Sequence, residues 1–453
     1  MPAGGTWTIQ NKVRPGAYIN FVAVPKASTT LGQRGTVAVG MPMTWGPQSE
    51  IIRLTGNDLM KGDSLAKVGV TIMDTEASLP YRIALAGCFE ALLYRTDIGG
   101  TKAAVTILEN VLSVSAKYAG TTGNKITIVT LKDKPRAGFT TVEVRVSNQL
   151  KESFTVKTLA ELDEVESAFV DFEVSNTDNQ IPITAGAALT GGTNGEVNKE
   201  AYPTFWNLLD TENFQCLAMY DTDATIVPLI KDKVELWREK RGKKVQAVVY
   251  DNADADYEGI ISVHQGFKTA TETVDTKMFP VWVASMTAGS AVNESLTAAV
   301  VEGAVEIINP VLEDEIENAL LSGKFILSYR QDGAVCVEKD INTLHTYTAD
   351  KNYAFSKNRV IRCLDEIGNT TALIFNRNYA GKVDNNEDGR DLFKTEIIKL
   401  FDNLTNMDAI QNFSSESDIT VLPGEAVDSV VVDLTVQPVD SMEKLYMTVN
   451  VNI

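Results

Sequence analysis

Hydrophobic and polar positions along the chain change period several times, and each change predicts an element. Near the start, Pro2, Gly4, Gly5, Pro15 and Gly16 surround a short alternating piece, TWTIQ, with Trp7 and Ile9 on one face. That reads as a flexible arm carrying one strand. Extended Val/Ile-rich segments follow (YINFVAV, RGTVAVG, SEIIRLT), then a helix from about Pro80 to Leu93 running into LLYRT. Between Ile98 and Gly195 the texture turns to Thr and Val with turn signals: KITIVTL, TTVEVRV, SFTVKT and IPITAG, closed by GGTNGE. Closely spaced short strands of this kind predict a small all-β domain, here inserted into another fold.

The second half begins as β-α-β. AYPTFWNLLD predicts a helix and FQCLAMY a strand, followed by a helix with Ile226, Leu229, Ile230, Val234 and Trp237 on one face, and KVQAVVYD as the next strand. A parallel sheet satisfies that order, with FPVWVASM expected to continue it. PVLEDEIENALLSG predicts a helix with Asn309 and Pro310 at its start and Leu312, Ile316, Ala319 and Leu320 as its buried stripe. Asp332-Gly333 predicts a tight primed hairpin turn between KFILSYRQ and AVCVEKDI. Two helices follow, marked by Val360, Leu364 and Ile367, and by Phe393, Ile397, Leu400, Phe401 and Leu404; the strands DITVL, SVVVDLTVQPV and EKLYMTVNVNI come last. In the final segment Leu445, Met447, Val449, Val451 and Ile453 alternate with Tyr446, Thr448, Asn450 and Asn452. A strand so regular should pair into a sheet, and the pattern alone favours the last strand of its own fold.

These segments predict an α+β and α/β multidomain chain: a β-α-β core lobe, an inserted small all-β domain and an α+β C-terminal domain, with extended strand arms at both ends. The expected divisions are 1–20 (N-terminal arm), 21–97 and 196–345 (core lobe), 98–195 (insert), 346–442 (C-terminal domain) and 443–453 (C-terminal strand arm).

Composition narrows the function. The 453 residues carry 41 basic and 60 acidic side chains, a net charge of -19, which argues against direct binding to nucleic acid. Cys88, Cys216, Cys336 and Cys363 lie far apart without a CxxC, so reduced core thiols are expected. The opening residues lack the features of a signal peptide, and no apolar run is long enough to span a membrane. His264 and His345, the only histidines, give little basis for a triad or a His-ligated metal.

Three acidic clusters carry candidate chemistry. CLAMYDTDAT places Asp221 and Asp223 at a strand end, as in the nucleophile motif of haloacid-dehalogenase-type phosphatases, where the first Asp attacks phosphorus, the second is acid/base and Mg²⁺ neutralises the phosphate. Capping of the helix expected near Ala224 explains the same residues more simply, because it needs no further acidic pair or Lys in register. Asp384, Asn386, Asp388 and Gly389 copy half an EF-hand loop, but Thr395 stands where the closing Glu belongs; a turn capping a helix from Arg390 is preferred. DADYEG, from Asp254 to Gly259, fails likewise with Gln265. No metal, cofactor or catalytic residue is expected.

Several stretches resemble the sheath protein of contractile phage tails, in the version found in Gram-positive myophages, defective prophages and phage-tail-like bacteriocins: RPGAYINF, RGTVAVGMPMTWGP, VWVASMTAGSAVNESLT, DINTLHTYTADKNYAFSKNRVIRCLDEIGN and VQPVDSMEKLYMTV. The resemblance implies a non-enzymatic subunit of a virion tail or bacteriocin particle, assembled in the bacterial cytoplasm as stacked six-membered rings. Its implied partners are further copies of itself, the tail tube protein, and the baseplate and tail terminator proteins; contraction would drive the tube through a host envelope. It also implies that the arms carrying Trp7 and Ile9, and Leu445, Met447, Val449, Val451 and Ile453, add strands to neighbours. The recipient sheet would be the one containing Val430, Val432, Leu434 and Val436.

Overall fold

The computed structural model describes residues 3–5, 16–18 and 34–451. Trp7, Ile9, most of YINFVAV and Ile453 lie outside the described residues. The core lobe opens with β1 (Thr36–Met41) and β2 (Ile51–Thr55), then α1 (Thr75–Ala84) and β3 (Glu90–Arg95). The insert supplies β4 (Ala104–Leu108), β5 (Leu112–Ala116), β6 (Ile126–Lys132), β7 (Thr140–Val146), β8 (Gln149–Val156), β9 (Val170–Val174) and β10 (Thr184–Ala188). The lobe resumes with α2 (Ala201–Leu208), β11 (Cys216–Met219), α3 (Val227–Glu235), β12 (Gln246–Tyr250), β13 (Ile260–Val263) and α4 (Phe279–Gly289).

The lobe's sheet runs β13-β12-β11-β1-β3-β2, parallel except for β2, which returns antiparallel to β3. A parallel sheet must be covered on both faces, and it is. Val37, Val39 and Met41 of β1 face one apolar layer with α4, while Ala38 faces another with Tyr202 and Phe205 of α2 and Ile230 and Val234 of α3.

Four expectations are corrected here. FPVWVASM is helix α4, not a strand: Pro280 sits in its first turn and nearly every residue is buried, so no polar face gives the helical period away. The helix expected through Leu93 ends at Ala84, and Leu92 and Leu93 are central residues of β3. Gly87 marks the break, since a Cβ there would lie 2.7 Å from the Met286 Cα of α4. PVLEDEIENALLSG forms only a short helix, α5 (Ile316–Leu321), with no buried residue and Leu312 62% exposed. Its composition favours a helix, but Leu312 is exposed and Ile316, Ala319 and Leu320 are only half-buried, so the apolar stripe has incomplete cover. The Asp332-Gly333 hairpin exists, joining β14 (Leu327–Tyr329) to β15 (Val335–Val337), yet of the turn pair only Gly333 has positive φ. The Gly333 N–H closes onto the Arg330 carbonyl at 2.8 Å, so the loop is longer than a two-residue primed turn.

The insert has its own apolar core between the sheets β8-β7-β6-β10 and β9-β5-β4. Its two connections to the lobe, Asp97–Ile98 and Glu196–Val197, pair antiparallel and make a neck. GGTNGE, which closes the insert, is a close-packed joint: a Cβ on Gly195 would stand 2.3 Å from the Ile98 carbonyl oxygen. Asp97 organises this joint. Its carboxylate accepts from Arg95 at 2.7 Å, from the Met43 N–H at 2.8 Å and from the Gly195 N–H at 3.2 Å, and both charged side chains are almost wholly buried. Removing one partner of such a pair leaves a buried charge without compensation. Asp97→Ala should therefore cost about 3–5 kcal/mol in denaturant unfolding; a loss below about 1 kcal/mol would show the joint does not depend on this carboxylate.

Candidate functional site: the C-terminal sheet and the strand that leaves it

The C-terminal region begins with α6 (Asn358–Ile374) and α7 (Glu387–Asn406), followed by β16 (Ile410–Gln411), β17 (Ile419–Pro423), β18 (Val430–Leu434) and β19 (Gln437–Pro438). Phe393, Ile397, Leu400, Phe401 and Leu404 of α7 form the buried stripe that the sequence predicts. β17 and β18 pair antiparallel, Val421 opposite Val432, and β16 pairs with β19. Along β18 and beyond, Val430, Val432, Leu434 and Val436 are half-buried and alternate with exposed Val431, Asp433 and Thr435. Val432, Leu434 and Val436 pack onto the α6–α7 core. Among the described residues each of these two sheets has only two strands, so the hairpin has an open edge.

The last segment makes no ladder. Leu445 is 85% exposed, Met447 73%, Val449 68% and Val451 75%, while Tyr446 on the opposite face is 88% exposed. The alternation is present, but within the described residues its apolar side meets no sheet of the same chain. The arm's base is held by Lys357 and Thr297, and the open hairpin packs on the α6–α7 core.

The acidic clusters are turns. Asp221 accepts from the Tyr202 hydroxyl at 3.1 Å and from the Asp223 N–H at 3.0 Å; Asp223 accepts from the Thr225 N–H at 2.8 Å and pairs with Lys199 at 2.5 Å. Hydrogen bonds from Lys199 and then Thr225 hold the Asp223 carboxyl far below its ordinary range. The regular helix starts at Val227, later than expected, and Ile226 makes no side-chain bond; Asp223 accepts from the Thr225 N–H with its carboxylate and from the Ile226 and Val227 N–H groups with its carbonyl, so it caps the turn that leads into the helix. Asn386 caps α7, accepting from the Gly389 N–H at 2.8 Å, and the helix begins at Glu387, ahead of the expected Arg390. Asp256 accepts from the N–H groups of His345 and Thr346 at 2.8 and 3.0 Å.

Comparisons with known proteins decide the family. Models of the phage tail sheath protein match three stretches: the beta-sandwich domain at residues 99–194, the central domain at 195–343 and the C-terminal domain at 350–452. The phage-like element PBSX protein XkdK of Bacillus subtilis (strain 168) is 34% identical, covering 99% of this chain and 100% of its own. The chain belongs to the phage tail sheath family. The crystal structure of the sheath tail protein from Desulfitobacterium hafniense is 35% identical, covers 94% of this chain and 98% of its own, and superposes with a TM-score of 0.80. The same fold recurs at 12% identity in the helical sheath of the anti-feeding prophage in its contracted state, with a TM-score of 0.56 over 97% of this chain and 99% of that one. This sheath protein is therefore a structural, non-enzymatic component of a contractile tail.

Sequence reading missed the buried charges that fasten the sheath protein's parts together: Arg95 with Asp97, Arg238 with Asp365, and Lys357 with Glu443. The one signal available was their setting, charged residues within otherwise apolar stretches such as ALLYRTD. Asp221→Ala should cost about 1–3 kcal/mol by leaving the buried Tyr202 hydroxyl without an acceptor. Denaturant unfolding measures it, and a phosphatase turnover abolished by the substitution would contradict the structural role.

Proposed function

We propose that the chain polymerises as stacked hexameric rings around a tail tube, joined by exchanged terminal β-strands, and contracts to drive the tube through a host envelope. In that reading its partners are further copies of itself, the tail tube protein, and the baseplate and tail terminator proteins; assembly occurs in the cytoplasm of the bacterial host. The observation that carries strand exchange is the C-terminal arm. Leu445, Met447, Val449 and Val451 keep a strand's alternation yet stand exposed, and the same chain carries a two-stranded hairpin whose β18 edge is open among the described residues. An exposed apolar strand is an aggregation liability on a monomer. Adding it to a neighbour's sheet satisfies its backbone through main-chain hydrogen bonds and its apolar face through that neighbour's α6–α7 core. Trp7, Ile9 and Ile453 belong to the same proposed arms.

We further propose that residues 1–20 and 443–453 act as the arms, with 98–195 as the insert, 21–97 with 196–345 as the core lobe, and 346–442 as the recipient domain. A stiff subunit supports hinging at the arms. Arg238 grips Asp365 of α6 through two bonds of 2.7 and 2.8 Å, Asn369 exchanges two hydrogen bonds with the Lys244 backbone, and Gln246 bonds Asn358 at 3.0 Å. Lobe and recipient domain then move together, and contraction becomes a change between two packings of rigid bodies.

Deleting residues 445–453 should leave a folded monomer by circular dichroism and abolish the wide hollow cylinders that the full chain forms under negative-stain electron microscopy. Cylinders of equal length and number from the truncated chain would contradict strand exchange through this arm.

A further inference from the structure

Among the described residues, Glu443 is the last half-buried one of the C-terminal segment, standing between exposed Met442 and Lys444. Val439 is tied in, its N–H donating to the Ala409 carbonyl at 2.9 Å. The Glu443 side chain is only 13% exposed, whereas Leu445 is 85% exposed. The cause is a buried lysine. Lys357, at the entrance to α6, is 2% exposed, and its ammonium is paired with the Glu443 carboxylate, with Asp440 at 3.6 Å. Among the described residues, these two carboxylates are the ones within ion-pair distance of Lys357, and both lie on the segment that leads into the arm.

Glu443 is further held by the Thr297 hydroxyl at 2.8 Å, and Thr297 in turn accepts from the Asp340 N–H at 3.0 Å. Asp340 is buried, pairs with Arg362 of α6 at 2.6 Å and accepts from the Asn358 amide at 2.9 Å. The contact thus continues into the joint between the core lobe and the C-terminal region. Burial alone would raise the Glu443 carboxyl pKa, but the hydrogen bonds from Lys357 and Thr297 outweigh it and hold the group below its ordinary range.

We propose that Lys357 and Glu443 form a mooring, completed by Asp440 and Thr297, which fixes the point where the C-terminal arm leaves its own subunit. Lifting residues 440–443 away would strand the lysine charge in the interior, which a folded chain resists strongly. The free part of the arm then begins at Lys444. Its ten residues reach at most roughly 33–36 Å when extended, and release of 440–443 would lengthen the tether by roughly 13–14 Å. In the sheath the mooring would therefore set how far two strand-linked neighbours can separate. That consequence rests on the strand-exchange reading; the mooring itself does not. Lys357 and Glu443 are positioning residues, since neither belongs to the exchanged strand.

The test is hydrogen exchange followed by mass spectrometry on the full-length chain, kept dilute and monomeric. Glu443→Gln should make amides in residues 437–444 exchange about tenfold faster or more, with α6 and α7 unchanged. Lys357→Met guards against misfolding, because it removes the buried charge and keeps the bulk; it should free the same residues. Unchanged exchange in both variants would overturn the mooring. The chain lacking residues 445–453 should keep residues 437–444 protected, and loss of protection there would also overturn it. Whether that truncated chain assembles decides strand exchange alone, so the two ideas fail separately.

Discussion

The structure is governed by one unmet requirement: a β-strand with an apolar side must have its backbone paired and that side covered. Residues 445–451 carry the pattern of such a strand and, among the described residues, have neither satisfied. A short, open-edged hairpin lies on the α6–α7 core, with Val432, Leu434 and Val436 already turned toward it. A protein that works alone would have to blunt both features. Under the proposed strand exchange each would be the other's complement on a neighbouring copy, and the link would be made of main-chain bonds that tolerate large changes in subunit orientation.

Under that proposal the rest of the chain would leave the link as the compliant element. Buried, charge-assisted bonds close the two joints where flexing would otherwise be expected. Arg95 and Asp97 lock the insert's neck, and Arg238 with Asp365 locks α6 to the lobe. Lone buried ion pairs are poor evidence for stability, since an apolar replacement can do as well. They are good evidence for geometry, because a guanidinium held by two carboxylate oxygens accepts few orientations. Stiff bodies joined by extensible arms suit a lattice that must change shape without dissociating.

Much of this was legible in the sequence. The strands of the insert and the α7 stripe from Phe393 to Leu404 follow from period, because each has a drier and a wetter face, whereas the β-α-β strands, buried on both faces, show as short apolar runs between amphipathic helices. Legibility failed where that contrast vanished. α4 is buried almost all round, so FPVWVASM carries no helical period and its Val and Trp content imitates a strand. α5 fails in the opposite way, with helix-favouring composition but an apolar stripe that its neighbours only half cover. At the site, the arm's alternation and the half-buried face of β18 could be read directly. Whether the arm pairs inside or outside its subunit could not, since a two-residue period says nothing about whose sheet receives it. Lys357 and Glu443 were invisible because their partnership spans 86 residues and neither sits in a motif.

The most direct measurement of the central claim uses two isotopically distinct populations of the full chain. One carries Tyr446 replaced by the photoreactive p-benzoylphenylalanine, the other is uniformly ¹⁵N-labelled; they are mixed, assembled into cylinders and irradiated. Strand exchange predicts cross-linked peptides joining the unlabelled arm to the labelled β17–β18 hairpin. Cross-links from the arm that stay within the unlabelled chains, or that reach labelled subunits only away from this hairpin, would contradict it.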